Sequence, residues 1–291
     1  MKDSVFYRKH TLNIRGKLLS LETPLVMGIL NVTPDSFYAE TRISSEKDLI
    51  QTAAKMLEDG AGILDIGGYS SRPGASDISE EDEIKRVVPA IKQLISHFPD
   101  SVISVDTFRS KVAKQAVEAG ASIINDISAG QQDAEMFNTV ASLKVPYIAM
   151  HMKGNPQNMV HQTKYDNLLL EITNYFYNKL FKLHSLGITD IIIDPGFGFS
   201  KTKEQSLHLL NNLEIFKTIE APLLVGISRK SLIYKTLDTT SEKALNGTTI
   251  LNTIAILKGA LILRVHDVKE AVEIVKLTSE MQKGLSDHNQ A

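Results

Sequence analysis

The order of apolar and polar positions divides the chain into short apolar runs separated by longer amphipathic segments. The runs are continuous rather than alternating, which is typical of strands that are buried on both faces of a parallel sheet. They occupy residues 25–30, 62–66, 101–105, 122–125, 145–150, 190–194, 221–227 and 260–265.

The segments between the runs have the period of helices, and several end in a glycine, the residue typical of the position just past a helix C-terminus. The predicted helices are 46–59, 79–96, 109–118, 133–142, 165–186, 203–212, 241–258 and 267–281. Strand–helix units in this order predict an α/β fold, a closed (β/α)8 or TIM barrel. The alternative is a doubly wound open sheet, which would typically carry a glycine-rich loop after its first strand, and "NVTPDSF" is not such a loop.

The repeating units extend through nearly all of the 291 residues, and no low-complexity linker interrupts them. We therefore expect a single TIM-barrel domain over residues 1–291. Residues 1–20 precede the first barrel strand, and we expect them to form a small hairpin that closes the bottom of the barrel.

Composition narrows the classes of partner and of chemistry. The net charge is −2, so there is no general electrostatic attraction to nucleic acid or to anionic membranes. No apolar run approaches the roughly 18 residues of a membrane span, and the N-terminus has no apolar signal core. The absence of cysteine excludes disulfides, thiolate metal sites and cysteine nucleophiles. We expect a cytoplasmic protein that binds small molecules.

Polar side chains stand where the predicted strands end. They are Asn31, Asp65, Asp106, Asn125, Asp126, His151, Asp194, Arg264 and His266, and the seventh strand leads into "GISRKS". A single residue of this kind could cap the following helix, but "DIGG" and "DPG" place the carboxylate on the strand before the loop. Because the carboxyl ends of barrel strands share one rim, the pattern predicts an active site there.

The carboxylates and the amide indicate what this rim could bind. A carboxylate accepts two parallel N–H bonds, so Asp106 and Asp194, together with Asn125, suit a planar N–C–N donor edge such as that of a 2-aminopyrimidone. An ion pair with arginine or lysine is the alternative for either aspartate. Arg264 and His266 are two residues apart on one predicted strand, so their side chains point the same way. Together they form an anion site suited to phosphate.

Other residues have two open interpretations. Lys230 could bind a carbonyl or a carboxylate, or it could be a solvated lysine at a helix start. Arg72 in "SSRPG" is either an anion-binding arginine on a rigid turn or part of a plain loop. His151 lies between two methionines and is expected to be a packed, structural histidine, while Met150 could lie flat on an aromatic ring.

Eight motifs in order resemble one family. They are "GILNVTPDSF", "DIGGYSSRPGA", "SVDTFRSKVA", "INDISAG", "MHMKGNPQNM", "IIIDPGFGFSK", "VGISRKSLI" and "LRVHDV". Together they resemble dihydropteroate synthases, the sulfonamide-target enzymes of folate synthesis, from about residue 25 to residue 270. The resemblance implies a TIM barrel that condenses 6-hydroxymethyl-7,8-dihydropterin diphosphate with p-aminobenzoate, giving 7,8-dihydropteroate and pyrophosphate. Because diphosphate is a good leaving group once its charge is neutralised, we hypothesise that the reaction is a dissociative substitution.

The resemblance also implies roles for individual residues. The pterin would be bound by Asp106, Asn125, Asp194 and Lys230, with Ile127 and Met150 against its faces. The diphosphate would be held by Asn31, Arg264 and His266, with Mg²⁺ as the cofactor beside Asn31. The p-aminobenzoate site would be shaped by Ser71, Arg72, Pro73, Phe199, Ser228 and Lys230. The catalytic group would comprise Asn31, Asp35, Phe37, Asp106, Asp194 and Lys230. A homodimer is also implied, with helices 241–258 and 267–281 as candidates for its interface.

The chain departs from the family pattern in two loops. Where the family commonly reads "TPDSFSDGG", Ala39 replaces the second aspartate, and Glu40 and Thr41 replace the glycines. In the second loop Tyr69 stands where Glu is common, and Ser71 where Thr is common. Three alternatives stay open: a folate-binding barrel for methyl transfer to a corrinoid, a catalytically weak pterin-binding paralogue, and a phosphate-binding barrel of the aldolase kind.

Overall fold

The computed structural model describes residues 10–32, 46–70 and 77–288, with side chains up to residue 283. Two strands, β1 (Thr11–Ile14) and β2 (Lys17–Ser20), form an antiparallel hairpin. The strands that follow are β3 (Leu25–Asn31), β4 (Ile63–Gly67), β5 (Ile103–Asp106), β6 (Ile123–Asp126), β7 (Tyr147–Met150), β8 (Ile191–Asp194), β9 (Leu224–Val225) and β10 (Ile262–Val265). The helices are α1 (Glu46–Glu58), α2 (Glu80–His97), α3 (Ser110–Ala119), α4 (Met136–Leu143), α5 (Leu168–Ser185), α6 (Lys203–Asn211), α7 (Ser231–Tyr234), α8 (Leu245–Leu257) and α9 (Val268–His288).

In the described part of the chain, β3 to β10 form one parallel sheet with the order β8-β7-β6-β5-β4-β3-β10-β9. A parallel bridge between Ile193 and Leu223 joins the two ends of this sheet, so the strands close into a barrel surrounded by the helices. The predicted TIM barrel is confirmed, and the alternative of an open doubly wound sheet is wrong. Among the described residues, no helix combines the length and apolar character needed to cross a bilayer.

Strand register brings the polar strand ends to one level. Asn31 pairs with Gly67, Gly67 with Asp106, and Asp106 with Asn125. On the other side of the ring, Met150 pairs with Asp194. The side chains predicted to form a site therefore start from the same rim of the barrel.

The opposite end of the barrel is filled by apolar side chains from the strands and the hairpin. The strand residues are Met27, Ile63, Ile123, Ile148, Ile192, Leu224 and Ile262. Leu12, Ile14 and Leu21 from the hairpin region pack against them and are buried. The hairpin thus covers the amino ends of the strands, and the mouth at the carboxyl ends is the end left for chemistry.

Several element bounds differ from the predicted ones because side-chain caps and short turns decide them. α5 begins at residue 168 rather than 165, where the side chain of Asn167 accepts a bond from the N–H of Leu170. α4 and α8 also begin later than predicted, and α9 extends to His288. The four-residue helix α7 and the 3-10 turns at Met159–His161 and Leu213–Thr218 were not predicted. β9 is only two residues long, and Pro222, which has no N–H to donate, precedes it.

Candidate active site

Arg264 on β10 lies at the centre of one half of the barrel mouth. Its Nε donates to Oδ2 of Asp65 at 2.6 Å, and its Nη2 donates to Oδ2 of Asp106 at 2.6 Å. Burial works to lower the pKa of Arg264, but the carboxylates of Asp65 and Asp106 raise it overall. The guanidinium is therefore charged at any ordinary pH, and within the described residues these bonds engage Nε and Nη2 but not Nη1.

Asp65 is a site residue to which the sequence assigned no role. It is 0% exposed, and its Oδ2 also accepts a bond from Nδ2 of Asn125 at 3.1 Å. Its Oδ1 is buried and has no hydrogen-bond partner among the described residues. Since a carboxylate only accepts, the amide of Asn125 must present its NH2 group to Asp65 and its oxygen elsewhere. The signal available in the sequence was the position of Asp65 on the strand in "DIGG".

Asp106 adopts the alternative that the sequence left open, an ion pair with a basic residue, here Arg264. Burial raises the pKa of Asp106 to about 7, against the opposing effect of Arg264 and with a further raising effect from Asp65. Because Arg264 occupies Oδ2, Oδ1 is the oxygen that could accept a bond from a ligand. Asn31 is close by: a Cβ added at Gly67 would be 3.2 Å from its Oδ1 and 3.9 Å from Oδ2 of Asp106.

The other half of the mouth is built around Asp194 at the end of β8. Its Oδ1 accepts a bond from the N–H of Gly196 at 2.8 Å. Burial raises the pKa of Asp194, and Lys230 opposes the shift. A Cβ added at Gly226 would lie 3.8 Å from both Oδ2 of Asp194 and Cβ of Arg264, so this glycine separates the two halves of the mouth.

Lys230 is partly buried in the site rather than solvated at a helix start. Its Nζ donates to the carbonyl of Phe197 at 2.5 Å and lies 4.6 Å from the ring centroid of Phe199. Burial lowers the pKa of Lys230 to about 8, while Asp194 opposes the shift. The structure therefore brings Asp194, Lys230 and Phe199 together as predicted.

Ser228 and His266 meet beside this group. The Oγ of Ser228 lies 3.1 Å from Nδ1 of His266 and accepts a bond from its backbone N–H at 3.2 Å. Arg229, between Ser228 and Lys230, was not singled out from the sequence. It pairs with Asp267 at 2.6 Å and donates to the carbonyls of Ser241 and Glu242, so it fixes the loop that carries its two neighbours.

Ile127 and Met150 belong to a small buried apolar cluster between the polar groups. Its other members are Met152, Met159, Phe108 and Phe199. Methionine side chains adapt to flat aromatic surfaces. The cluster therefore offers an apolar wall beside the acceptors of Asp106, Asn125 and Asp194, as a planar, polar-edged ring requires.

His151 is packed and structural, as the sequence indicated. It is buried, its ring lies 4.8 Å from that of Tyr175 in an edge-on arrangement, and its Nδ1 is 2.9 Å from Nζ of Lys201. Burial first, and then the positive charge of Lys201, holds the pKa of His151 well below its usual value. The imidazole is therefore neutral near pH 7.

Several predicted residues lie outside the described residues. They are Asp35, Phe37, Ser71, Arg72 and Pro73, together with the departures Ala39, Glu40 and Thr41. Tyr69 is described. Its ring meets that of Phe108 edge-on at 5.0 Å, the guanidinium of Arg109 lies 5.2 Å from it, and its hydroxyl accepts a bond from Gln157 at 2.8 Å. The tyrosine found where glutamate is common in the family thus packs between the loops that follow β4, β5 and β7.

The sequence matches that of known proteins over most of the barrel. The family described as "Pterin binding enzyme" matches residues 27–266. The dihydropteroate synthase of Escherichia coli K12 is 40% identical over 265 residues, which cover 90% of this chain and 93% of the relative.

Solved structures agree with the sequence comparison. A Yersinia pestis dihydropteroate synthase in complex with a sulfonamide drug superimposes with a TM-score of 0.90 at 40% identity, covering 94% of this chain and 99% of that one. A Xanthomonas albilineans dihydropteroate synthase with 4-aminobenzoic acid gives 0.86 at 36% identity, covering 94% and 98%. The site geometry, the match over most of the barrel and these relatives agree, and the chain belongs to the dihydropteroate synthase family of pterin-binding enzymes, transferases of folate biosynthesis.

Proposed function

We propose that this chain condenses 6-hydroxymethyl-7,8-dihydropterin diphosphate with p-aminobenzoate to give 7,8-dihydropteroate and pyrophosphate. The observation that carries the proposal is the arrangement of acceptors around one apolar wall. Asp106 pairs with Asn125 and bonds to Arg264. Ile127 follows Asn125 by two residues, and Met150 pairs with Asp194, so the acceptors lie beside the cluster that contains Ile127 and Met150.

The acceptors suit the donor edge of a pterin. Oδ2 of Asp106 is engaged by Arg264, and Oδ1 of Asp194 by Gly196, so each carboxylate has a second oxygen for an N–H of the ring. Asn125 turns its amide oxygen away from Asp65, which adds a neutral acceptor. Ile127 and Met150 would contact the ring faces.

Cationic and polar donors beside the acceptors suit the diphosphate. Arg264 retains Nη1 after its bonds to Asp65 and Asp106, and His266 lies next to Ser228. Arginine matches phosphate oxygens well because its donors are held in a planar fork. Asn31, on the same side as Asp106, would donate its side-chain NH2 group to a phosphate oxygen.

Mg²⁺ fits this site as an ion shared with the diphosphate. Within the described residues, no group of three or more His, Cys, Asp or Glu side chains is placed to hold a metal, so a cage made only of such ligands is not present there. Mg²⁺ is commonly bound by one or two protein oxygens together with phosphate oxygens and water, and Asn31 supplies such an oxygen. When bound, the ion would neutralise charge on the leaving group.

The chemistry proposed is a dissociative substitution. The bond between the pterin methylene carbon and the bridging oxygen breaks, and its electron pair leaves with pyrophosphate. The carboxylates of Asp106 and Asp194 would stabilise the resulting cation. The aniline nitrogen then supplies the pair for the new C–N bond and releases its proton. Positional isotope exchange of the bridging oxygen without p-aminobenzoate tests this order, and absence of scrambling would contradict a free cation.

The p-aminobenzoate would lie on the side of Phe199, Ser228 and Lys230. Lys230 carries a positive charge near the ring of Phe199, which suits a benzoate. The solved relatives support p-aminobenzoate as the second substrate, because one was solved with 4-aminobenzoic acid and another with a sulfonamide drug. On this proposal sulfonamides compete with p-aminobenzoate. Asp35, Phe37, Ser71, Arg72 and Pro73, which lie outside the described residues, are proposed to complete the site.

Release of pyrophosphate from the pterin diphosphate, measured with and without p-aminobenzoate, tests the function. We expect release that depends on p-aminobenzoate, together with formation of dihydropteroate. Pterin binding without release would indicate a pterin-binding paralogue. Methyl transfer from a folate to a corrinoid without pyrophosphate release would indicate the methyltransferase alternative.

We also propose a cytoplasmic homodimer formed through α8 and α9. Ile250 and Leu257 on α8, and Leu277 and Met281 on α9, are large apolar side chains that stay at least half exposed in the single chain. The two helices pack on each other, so these residues can share one face. Light scattering of the native protein should give twice the mass of the chain, and Ile250→Glu with Leu277→Glu should give one chain mass.

A further inference from the structure

The loop between β8 and α6, residues 195–202, has a backbone that needs support. Gly196 and Gly198 have φ values of 70° and 76°, and Ser200 has a φ of 47°. A left-handed conformation is unfavourable for a residue with a Cβ, and a Cβ at Gly196 would overlap the carbonyl of His151. Glycine adopts positive φ without steric cost, so Gly196 and Gly198 suit this backbone, and Ser200 is the residue that the left-handed conformation strains.

The side chain of Lys201 bonds to the backbone of this loop. Its side chain is 7% exposed, and its Nζ lies 2.9 Å from Nδ1 of His151, 3.1 Å from the carbonyl of Gly196 and 3.1 Å from the carbonyl of Phe199. Nζ also lies 3.5 Å from the carbonyl of His151, so each of the three donors of the ammonium group has an acceptor within reach. The neutral imidazole of His151 can accept at Nδ1. Burial lowers the pKa of Lys201 to about 7, against the raising effect of Asp194.

The carbonyls bound by Lys201 belong to the residues that form the site. Phe199, whose carbonyl Lys201 binds, places its ring 4.6 Å from Nζ of Lys230. Phe197, in the same loop, gives its carbonyl to Lys230. Gly196, the other residue bound by Lys201, donates its N–H to Asp194. Lys201 is thus bonded to the backbone that carries Phe199 and that donates to Asp194.

We propose that Lys201, paired with His151, is a positioning residue for the p-aminobenzoate side of the site. The inference rests on the proposed function, because that function assigns Phe199 and Lys230 to p-aminobenzoate. Lys201 acts through the backbone of the loop and does not touch the reacting atoms.

The two substrates should respond differently to loss of this lysine. Asp194 belongs to β8, and its backbone carbonyl accepts a bond from the N–H of His151, so the barrel itself holds it in place. Phe199 lies beyond the end of that strand, and within the described chain its backbone bonds to Gly196 and to the side chain of Lys201. Loss of Lys201 should therefore displace Phe199 more than Asp194.

The experiment compares Lys201→Met with wild type and with Lys203→Met, which makes the same change at a lysine whose side chain is 43% exposed. Steady-state kinetics gives the KM for p-aminobenzoate, and calorimetry gives the Kd of the pterin diphosphate. We expect Lys201→Met to raise that KM by about tenfold or more, with the pterin Kd changed by less than about threefold. Lys203→Met should match wild type. Hydrogen exchange at residues 196–199 should be faster in Lys201→Met alone.

An unchanged KM in a folded Lys201→Met protein would overturn the inference, and so would equal weakening of both ligands, which indicates a merely structural role. If Lys201→Met does not fold, the pair His151→Asn and His151→Leu replaces it. Asparagine can accept a bond near the position of Nδ1, and leucine cannot, so only His151→Leu should raise the KM. Equal KM values for this pair would also overturn the inference. Wild type that binds the pterin diphosphate but never releases pyrophosphate contradicts the proposed function instead.

Discussion

Asp65→Asn changes the residue that orients both Arg264 and Asn125 without changing its shape. In the native protein one oxygen of Asp65 accepts from Nε of Arg264 at 2.6 Å and from Nδ2 of Asn125 at 3.1 Å. The amide oxygen of asparagine could still accept, but the negative charge beside the guanidinium would be lost. The new NH2 group would take the place of the buried oxygen that has no partner in the described chain.

The expected cost follows from these contacts. Removing one member of a buried ion pair usually costs about 3–5 kcal/mol, because the other charge is left alone. Arg264 keeps its 2.6 Å bond to Asp106, so the loss should be that of one charge-assisted bond, about 1–3 kcal/mol. Asp65 also raises the pKa of Asp106, so Asp65→Asn should lower that pKa below about 7.

Urea unfolding and the pH profile of kcat/KM for the pterin diphosphate measure these two effects. Asp59→Asn is the control, since Asp59 pairs on the surface with Lys55, which is 74% exposed. That control should lose less than about 1 kcal/mol and leave the pH profile unmoved. A free energy of unfolding within about 0.5 kcal/mol of wild type, with the acid limb of the profile in its original place, would refute the assigned role of Asp65.

Further predictions concern a titration, a cap and a buried ion pair. Since only ionised Asp106 can accept two N–H bonds, kcat/KM for the pterin diphosphate should rise with pH up to about 7. If the same rise with pH persists in Asp106→Asn, the titration does not belong to Asp106. Ionisation of Asp106 should also cost stability as pH rises from 3.8 to about 7, because the folded protein holds this proton more tightly than the unfolded chain does, and Asp106→Asn should flatten that part of a melting-temperature profile. Thr202→Ala removes the side-chain half of the capping box at α6 and should cost about 0.5–2 kcal/mol in urea unfolding, and no loss would mean that the cap is dispensable. Glu83→Gln leaves Arg109 without its buried partner at 2.7 Å and should cost about 1–3 kcal/mol, with an unchanged unfolding midpoint as the contrary result.

The barrel could be predicted from the sequence because its strands are buried on both faces and therefore appear as unbroken apolar runs. All barrel strands lie at the predicted places. The hydrophobic period did not predict the ends of some helices, because single side chains decide them. Asn167, for example, caps the start of α5. The helix α7 is one turn long, and a pattern of that length has no measurable period.

The site was predictable to the extent that a polar residue interrupts an apolar run. Asp106, Asn125 and Asp194 were found in this way. Arg229 and Lys201 were not, because their functions depend on contacts between distant parts of the chain. Lys201 meets His151 across 50 residues, and Arg229 meets Asp267 across 38. Nothing in the local sequence distinguishes either from a surface cation.

The two basic side chains at the barrel mouth, Arg264 and Lys230, are held by hydrogen bonds to the protein itself. This reduces the entropy that they lose when a ligand binds. Arg264 is fixed by Asp65 and Asp106, and Lys230 by the carbonyl of Phe197. A free arginine or lysine side chain loses up to about 2 kcal/mol of rotamer entropy when a ligand orders it. Here the fold has already ordered these side chains, so on the proposed function binding energy from the diphosphate can go to the transition state, where the leaving group gains charge. On that proposal the buried carboxylate of Asp65 would be part of the anion site, although it carries the same sign of charge as the ligand.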